Sequence, residues 1–202
     1  VSYEALRDMQ KLVWFDSMEA LAQLVKDGMF FVFISHQWTS YELPDPTGTQ
    51  YGCMVAAVRH VAARMGWALE KVLVWVDYCS IPQANASEQL EAIKALPSYV
   101  SQAAAFVIVA PTVRHTNKDE DCDLQSYRKR MWCRVEQLCF LMANSAEAMY
   151  ITTGEDASSV VHADQDPAWL RENLYVFEGE ATDESDQLKL VLPLLGLYAQ
   201  ML

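Results

Sequence analysis

The chain carries two kinds of hydrophobic pattern: short apolar runs, and longer stretches in which apolar residues recur every three or four positions. The short runs are typical of strands buried on both faces of a parallel sheet, because their apolar residues do not alternate with polar ones. Four such runs lie at residues 30–35, 71–77, 104–111 and 148–154. We therefore predict four buried strands.

The longer periodic stretches predict helices between and beyond these strands. Ser, Gly and Pro mark several of their ends as caps or breaks. The predicted helices span 3–27, as one helix or as two joined near Asp16 and closed by Gly28; 51–65, ending at Gly66; 87–102, kinked or broken at Pro97; 130–144; and 186–202, interrupted near Pro193. Residues 112–128 are polar and charged, with no element predicted. The alternation of strands and helices predicts a doubly wound parallel α/β sheet.

The chain of 202 residues has the length of one ordinary domain. We expect an N-terminal helical extension at 1–28, an α/β domain at 29–154, and a C-terminal appendage at 155–202 that packs on the same domain. The appendage holds 10 Asp and Glu against 2 Lys and Arg, so it carries −8 of the net charge of −12.

The overall charge and hydropathy exclude two classes of partner. Fifteen Lys and Arg against 27 Asp and Glu give a net charge of −12. Because binding to nucleic acid relies on neutralising phosphates, we predict no nucleic-acid partner. No apolar stretch reaches the roughly 20 residues needed to cross a bilayer, so we also predict no membrane insertion.

The five cysteines are odd in number and widely spaced. This favours buried thiols in a reducing, cytoplasmic compartment over a disulfide framework. The chain has no Cys-x-x-Cys pair and no His pair at helical spacing, and the acidic cluster 119–123 lacks the glycine and the spacing of a calcium loop. We therefore predict no metal site.

Polar residues follow the predicted strands, at the edge where open parallel sheets bind ligands. The candidate site residues lie after the first and second strands and on the helix that begins near Arg130. They are Ser35, His36, Gln37, Trp38, Asp77, Tyr78, Gln83, Arg130, Trp132 and Glu136. Structural roles are open for several: Trp75 and Trp132 as core residues, Asp77 as a turn cap and His36 as a polar turn residue.

Glu136 stands in the apolar stripe of the predicted helix 130–144, four residues from both Trp132 and Phe140. Carboxylates are rarely fully buried without a partner. Either Glu136 is solvated or paired with an arginine at the edge of the stripe, or it is partly buried and faces a pocket. The helix pattern alone favours the first interpretation, while the aromatic neighbours support the second.

Several of these residues resemble the motifs of a known family, the Toll/interleukin-1 receptor (TIR) domain. Ile34-Ser35-His36 is similar to the end of the first TIR strand. Trp132, Cys133 and Glu136 are similar to the Trp-Cys-x-x-Glu-Leu helix motif of enzymatic TIR domains, with Gln137 shifting the leucine by one position.

The related fungal heterokaryon-incompatibility (HET) domain provides a second resemblance. Its motifs are similar to Trp75-Val76-Asp77, to Pro82-Gln83, and to Arg130, Trp132 and Glu136. All these matches fall in order within residues 30–154. The chain departs from the TIR pattern in a longer segment before the glutamate helix, and in Arg130, which stands where a serine is usual.

The resemblance implies a flavodoxin-like, TIR-like fold and cleavage of NAD+ at the nicotinamide–ribose bond, by hydrolysis or cyclisation, in cell-death or immune-type signalling. NAD+ is then the substrate, and no cofactor is implied. Glu136 takes the catalytic role of the TIR glutamate, which stabilises an oxocarbenium-like transition state. Trp38, Trp132 or Tyr78 would stack on a base, and His36 or Gln37 would bind phosphate or ribose. Ser35, Asp77, Gln83 and Arg130 complete the expected substrate-binding set.

Two other functions remain open at this point. The same fold serves as a non-enzymatic interaction module that nucleates a signalling complex. A nucleoside base transferase would use a similar carboxylate as a covalent nucleophile. Because TIR enzymes often complete their pocket by self-association, we also expect a homo-oligomer formed through loops.

Overall fold

A computed structural model describes residues 1–10, 28–163, 175–183 and 185–200 of the chain. Most of the predicted helix 3–27, including the possible junction at Asp16, lies outside the described residues. The same holds for the last two residues of the predicted helix 186–202.

A five-stranded sheet forms the centre of the fold. Its strands are β1 (Phe30–His36), β2 (Val72–Trp75), β3 (Ala105–Val109), β6 (Met149–Thr152) and β7 (Val160–His162), and a separate hairpin is formed by β4 (Val113–Arg114) and β5 (Asp121–Cys122). The order across the sheet is β2-β1-β3-β6-β7. The first four strands in this order are parallel, and β7 runs antiparallel at one edge. This mostly parallel sheet has the strand order of the flavodoxin-like class.

Helices cover both faces of the sheet. They are α1 (Tyr3–Asp8), α2 (Thr49–Met65), α3 (Asp77–Ser80), α4 (Ala86–Lys94), α5 (Leu96–Ser101), α6 (Leu124–Lys129), α7 (Met131–Ala143) and α8 (Asp186–Gln200). The α/β class and the four parallel strands predicted from apolar runs are confirmed. The predicted helix 87–102 is divided into α4 and α5, with Pro97 in the first turn of the second helix.

The expected interruption of the last helix near Pro193 is wrong, because α8 continues through that residue. A proline inside a helix removes one backbone hydrogen bond and usually breaks or kinks it. Pro193 is buried, as are Leu190, Leu194 and Leu197 on the same helix. Packing of this apolar side therefore offsets the lost bond.

Neighbouring residues of β1 supply the two cores, because successive side chains of a strand point to opposite faces. Phe31 and Phe33 enter the core shared with α5, α7 and α8. Val32 and Ile34 enter the core shared with α2. Each such buried side chain contributes about 1.5–3 kcal/mol relative to its exposed state.

The described residues of 175–200 pack against the sheet domain. Val176, Leu190, Leu194 and Leu197 belong to the same core cluster as α7. The backbone of Glu180 joins this segment to the start of α7, since its N–H donates to the Lys129 carbonyl at 2.6 Å and its carbonyl accepts from the Met131 N–H at 3.0 Å. The boundaries expected at 28/29 and 154/155 stay predictions.

At the edge of the sheet formed by β2, the first two residues of the chain run beside that strand. The N–H of Val74 donates to the carbonyl of Val1 at 2.7 Å, and Ser2 forms an antiparallel bridge with Leu73. These two residues therefore cover the outer edge of β2.

All five cysteines are buried, as predicted, and none is joined in a disulfide in the described part of the chain. Within residues 1–10, 28–163, 175–183 and 185–200, no helix is both long and apolar enough to cross a membrane.

Candidate functional site

A cavity of about 580 Å³ opens at the carboxyl ends of β1 and β2. In the sheet, β2 lies on one side of β1 and β3 lies on the other. The cavity is therefore at the switch point of the strand order, where ligands of this class of fold bind. Its size falls within the usual range of ligand pockets. Eight of the ten predicted site residues line it: His36, Gln37, Trp38, Asp77, Gln83, Arg130, Trp132 and Glu136.

Glu136 faces this cavity from α7 and is only 9% exposed. Ser35, at the end of β1, donates its hydroxyl hydrogen to Oε2 of Glu136 at 2.5 Å. The hydroxyl of Tyr127 lies 2.6 Å from the same serine oxygen, and it acts as the donor because the serine hydrogen is already used. The interpretation of Glu136 as a solvated or arginine-paired acid is therefore wrong, since its partner is a buried hydroxyl relay.

The pKa of the Glu136 carboxyl is close to neutral pH. Burial raises its pKa to about 8, and the negative charge of Asp77 adds to the increase. The Ser35 hydrogen bond and the nearby His36 oppose the shift without reversing it. At neutral pH Glu136 is therefore protonated in most molecules. A cation placed beside it would favour the carboxylate.

His36 lies beside Glu136 and donates from both ring nitrogens. The side chain of Gln50 donates to the Gln37 carbonyl at 2.9 Å, which leaves its Oε1 as the acceptor for Nδ1 of His36 at 2.7 Å. Nε2 of His36 lies 3.0 Å from Oδ1 of Asp77. Because both partners are acceptors, this arrangement favours an imidazolium at His36 that pairs with Asp77.

The pKa values of this pair agree with its geometry. Burial lowers the pKa of His36, but the charge and hydrogen bond of Asp77, with the Gln50 bond, outweigh burial and raise the pKa above its usual 6.5. Burial also acts to raise the pKa of Asp77, and the charge and hydrogen bond of His36 bring it below its usual 3.8. Both shifts favour the ionised form of the pair.

Asp77 also orients an aromatic wall of the cavity. Its Oδ2 accepts from the indole Nε1 of Trp38 at 2.7 Å, and its Oδ1 accepts from the backbone N–H of Tyr78 at 2.6 Å. The rings of Trp38 and Tyr78 meet edge to face with centroids 5.7 Å apart. Asp77 therefore accepts hydrogen bonds from the next residue in the chain and from Trp38, and it pairs with His36. The turn-cap role considered for it is not present, since the helix Asp77–Ser80 has no side-chain cap.

The remaining predicted residues have different positions. Gln37 donates to the Ser126 hydroxyl at 2.8 Å and Gln83 to the Ile81 carbonyl at 2.8 Å, and both line the cavity. Ser35 and Tyr78 contact residues of the cavity wall and are not part of its lining. The core role considered for Trp75 is confirmed, since it is 5% exposed and stacks on Phe33.

Cys133 lines the cavity without the properties of a nucleophile. Its thiol contacts the His36 carbonyl at 3.7 Å. Burial and the neighbouring Glu136 hold the pKa of the thiol well above its usual 9.0. Because the thiolate is the reactive form, we assign this cysteine a packing role.

Comparison of the chain with models of known protein families, with curated proteins and with solved structures finds no match. The TIR and HET resemblance therefore rests on the motif residues alone, and functional inference rests on the site. Among the described residues, no group of three or more His, Cys, Asp and Glu is placed to hold a metal ion. The absence of a metal site stays a prediction.

Sequence reasoning missed a wall that the C-terminal segment contributes. Oδ2 of Asp186 accepts from the indole Nε1 of Trp132 at 3.0 Å, and its Oδ1 lies 2.7 Å from Nζ of Lys189. Arg130 donates to the hydroxyl of Thr182. Trp132 and Asp186, and likewise Arg130 and Thr182, are more than 50 residues apart in the chain and carry no shared motif, so only the fold brings them together.

A second missed wall comes from the hairpin β4–β5, where His115 and Lys118 line the cavity. Gln50 was also missed, although it is fully buried beside His36. Because residues 112–128 are polar and charged, neither the hairpin β4–β5 nor α6 was predicted. The complete site thus combines one protonatable carboxyl, one partly buried ion pair, two hydrogen-bonded indoles and a set of cations.

Proposed function

We propose that the protein cleaves the bond between nicotinamide and ribose in NAD+, by hydrolysis or cyclisation, with Glu136 as the catalytic residue. The observation that carries this proposal is a buried carboxyl with a pKa of about 8 that faces the cavity at the switch point of the sheet. Strongly perturbed acids in clefts are typical of catalytic sites. The TIR resemblance of the Trp132–Glu136 helix supports the same reaction and a role in cell-death or immune-type signalling.

The reaction requires negative charge next to the ribose. When the C1′–N bond breaks, its electron pair leaves with nicotinamide, which becomes neutral, and positive charge develops on the ribose as an oxocarbenium ion. Water then attacks C1′ and loses a proton to give hydrolysis, or a nitrogen of the adenine ring attacks to give cyclisation. A carboxylate in a low-dielectric site stabilises this transition state more than it would in water.

The raised pKa fits a substrate that carries a positive charge. In the empty site the protonated form of Glu136 avoids an isolated buried charge. The pyridinium ring of NAD+ favours the carboxylate, because an opposite charge nearby lowers the pKa of an acid. Ser35 holds the carboxyl in place in both states by its 2.5 Å hydrogen bond.

Two indoles on the cavity wall are available to flat rings of the substrate. Asp77 holds the N–H of Trp38, and Asp186 holds the N–H of Trp132. Each bond restrains its ring, so less conformational entropy is lost when a nicotinamide or adenine ring stacks against it.

The decisive test is NAD+ consumption by the concentrated protein, with products separated by chromatography. Glu136→Gln should remove nicotinamide release, while Glu147→Gln, a change at an exposed glutamate just after α7, should keep it. Absence of nicotinamide release by the wild-type protein, or full activity of Glu136→Gln, would contradict the proposal. Exchange of nicotinamide for another base without net hydrolysis would identify a base transferase.

A non-enzymatic interaction module is the second candidate. It is favoured by a row of exposed apolar side chains on α8, where Leu188 is 76%, Leu192 60% and Leu195 59% exposed. Exposed apolar rows of this kind are often found at protein contacts. If the protein is an interaction module, Glu136→Gln should self-associate as the wild type does, and the wild type should not turn over NAD+.

A further inference from the structure

Three cationic or cation-forming residues line one part of the cavity. His115 and Lys118 come from the hairpin β4–β5, and Arg130 comes from the start of α7. Burial lowers the pKa of His115, the charges of Lys118 and Arg130 lower it further, and the charge of Glu120 opposes them. We call these three residues the cationic wall.

The hairpin that carries this wall is fixed to the loop after β1. The N–H of Thr116 donates to the carbonyl of Thr39 at 2.9 Å, and Oδ1 of Asn117 accepts from the N–H of Tyr41 at 2.9 Å. The Tyr41 ring meets His115 edge to face. The wall is therefore held in position before any ligand binds.

His115 presents a donor to the cavity. Its Nδ1 accepts from the backbone N–H of Asn117 at 3.2 Å, so in the neutral ring the proton is on Nε2. The residue is only 6% exposed and lines the cavity. The Nε2–H group is the donor that this ring has available for a ligand.

The two permanent cations have weakly held or neutral partners. Lys118 is exposed, lies over the Tyr41 ring and forms a 3.1 Å ion pair with the exposed Glu120. Such surface pairs contribute only about 0–1 kcal/mol, so a stronger anion can compete for the amine. The guanidinium of Arg130 contacts the Thr182 hydroxyl, which carries no charge.

Most of the acids around the cavity are neutralised. Asp77 is paired with His36 and Asp186 with Lys189. The pKa of Glu136, about 8, keeps it largely protonated at neutral pH. Asp183 is the remaining acid in the lining. An anion that contacts the cationic wall therefore competes with Glu120, the partner of Lys118, and faces one further acid of the lining, Asp183.

We propose that His115, Lys118 and Arg130 form a subsite for the phosphate groups of a nucleotide. Arg binds phosphate oxygens through paired N–H groups, Lys binds them as a point charge, and a ring N–H adds a directed bond. The proposal rests on the proposed function for what fills the rest of the cavity, with the ribose at Glu136. It makes the substrate a nucleotide and discriminates against the corresponding nucleoside.

The first experiment measures binding of inorganic diphosphate and of ADP-ribose by titration calorimetry. Lys118→Ala should weaken the binding of both by about tenfold or more, because a charge-assisted hydrogen bond is lost. His115→Gln should weaken it less, since an amide N–H can replace the ring donor. Lys94→Ala, at a lysine of α4 paired with Glu91, is the matched control and should bind as the wild type does.

The second experiment compares NAD+ with nicotinamide riboside, which lacks the phosphates. Lys118→Ala should raise the KM for NAD+ and leave the kinetics with the riboside unchanged. Wild-type protein that binds no diphosphate overturns the subsite, as does a Lys118→Ala variant with unchanged affinity and unchanged KM for NAD+. Diphosphate binding that depends on Lys118, without cleavage of NAD+, supports the subsite and overturns the proposed function instead.

Discussion

The hydroxyl of Ser35 donates to the carboxyl of Glu136 across 2.5 Å, and the two residues are 101 positions apart in the chain. One belongs to the end of the first strand and the other to the middle of α7. The position of the acid in the cavity is therefore set by the sheet as well as by its own helix. We expect both the stability of the fold and the proposed chemistry of the site to depend on the protonation of this one group.

Glu136→Gln should change how stability depends on pH. The pKa of Glu136 is about 8 in the folded chain and near 4.5 in the unfolded chain, so the unfolded state loses the proton first as pH rises. The wild type should then lose on the order of a few kcal/mol of unfolding free energy between pH 4.5 and 8, with no further loss from this group above pH 8. Urea unfolding at pH 5, 7 and 9 measures it. Equal pH profiles for wild type and variant would contradict the assignment.

The pH dependence of catalysis should follow the same group. If the carboxylate is the active form, kcat/KM for NAD+ should rise about tenfold per pH unit below pH 8 and level off above it, because kcat/KM reports the free enzyme. The corresponding rise in kcat should occur at lower pH, since the bound cation favours the carboxylate. A kcat/KM that stays constant between pH 6 and 9 would be incompatible with this role. Glu136→Gln should reduce kcat by at least about a hundredfold.

Asp77→Asn should remove the charge that holds His36 as an imidazolium. Burial then dominates, so the pKa of His36 should fall below its wild-type value, which lies above 6.5. The pair stabilises the wild type below the pKa of His36, and this contribution is lost as pH rises through it. We expect the variant to lose on the order of 1–3 kcal/mol at pH 6. NMR titration of the His36 ring provides the direct measurement, and an unchanged pKa would refute the ion pair.

Asp186→Ala should loosen the wall formed by the C-terminal segment. The change removes the acceptor of the Trp132 indole and the partner of Lys189. We expect a loss of about 1 kcal/mol in unfolding free energy and a higher KM for NAD+ with little change in kcat. Asp156→Ala, at an exposed position, is the control. Loss of kcat with unchanged KM would show instead that Asp186 acts on the reacting atoms.

Activity should depend on protein concentration if the site is completed by self-association. Activity per molecule is then expected to fall on dilution, in parallel with the oligomer fraction measured by sedimentation. Leu192→Lys, at an exposed position of α8, should tell whether the apolar row takes part. Constant activity per molecule across the dilution series would exclude a requirement for self-association.

The four parallel strands could be predicted from the sequence because each lies in an apolar run, whereas the short edge strand β7 was not predicted. Residues such as His36 and Asp77 could be predicted as site residues, since parallel strands bring their carboxyl ends to one edge. The burial of Glu136 depended on Ser35 and Tyr127, which no local pattern connects to it. The hairpin with His115 was hidden because short strands with polar and charged residues lack a periodic signal.

The roles of individual groups were less predictable than their positions. Gln50 supports the protonated form of His36, after the larger contribution of Asp77, through an amide whose orientation depends on the Gln37 carbonyl. Pro193 predicted a break in the last helix, but the packing of its buried neighbours keeps α8 continuous. Both outcomes depend on tertiary packing, which overrides local preference.

The two residues that run beside β2 determine how the sheet can meet other chains. An open strand edge is a template for pairing with another strand. Here the N–H of Val74 is already used by Val1, and Leu73 is bridged to Ser2. A second copy could extend the sheet at this side only by first displacing these residues, so strand exchange there would require local opening of the fold.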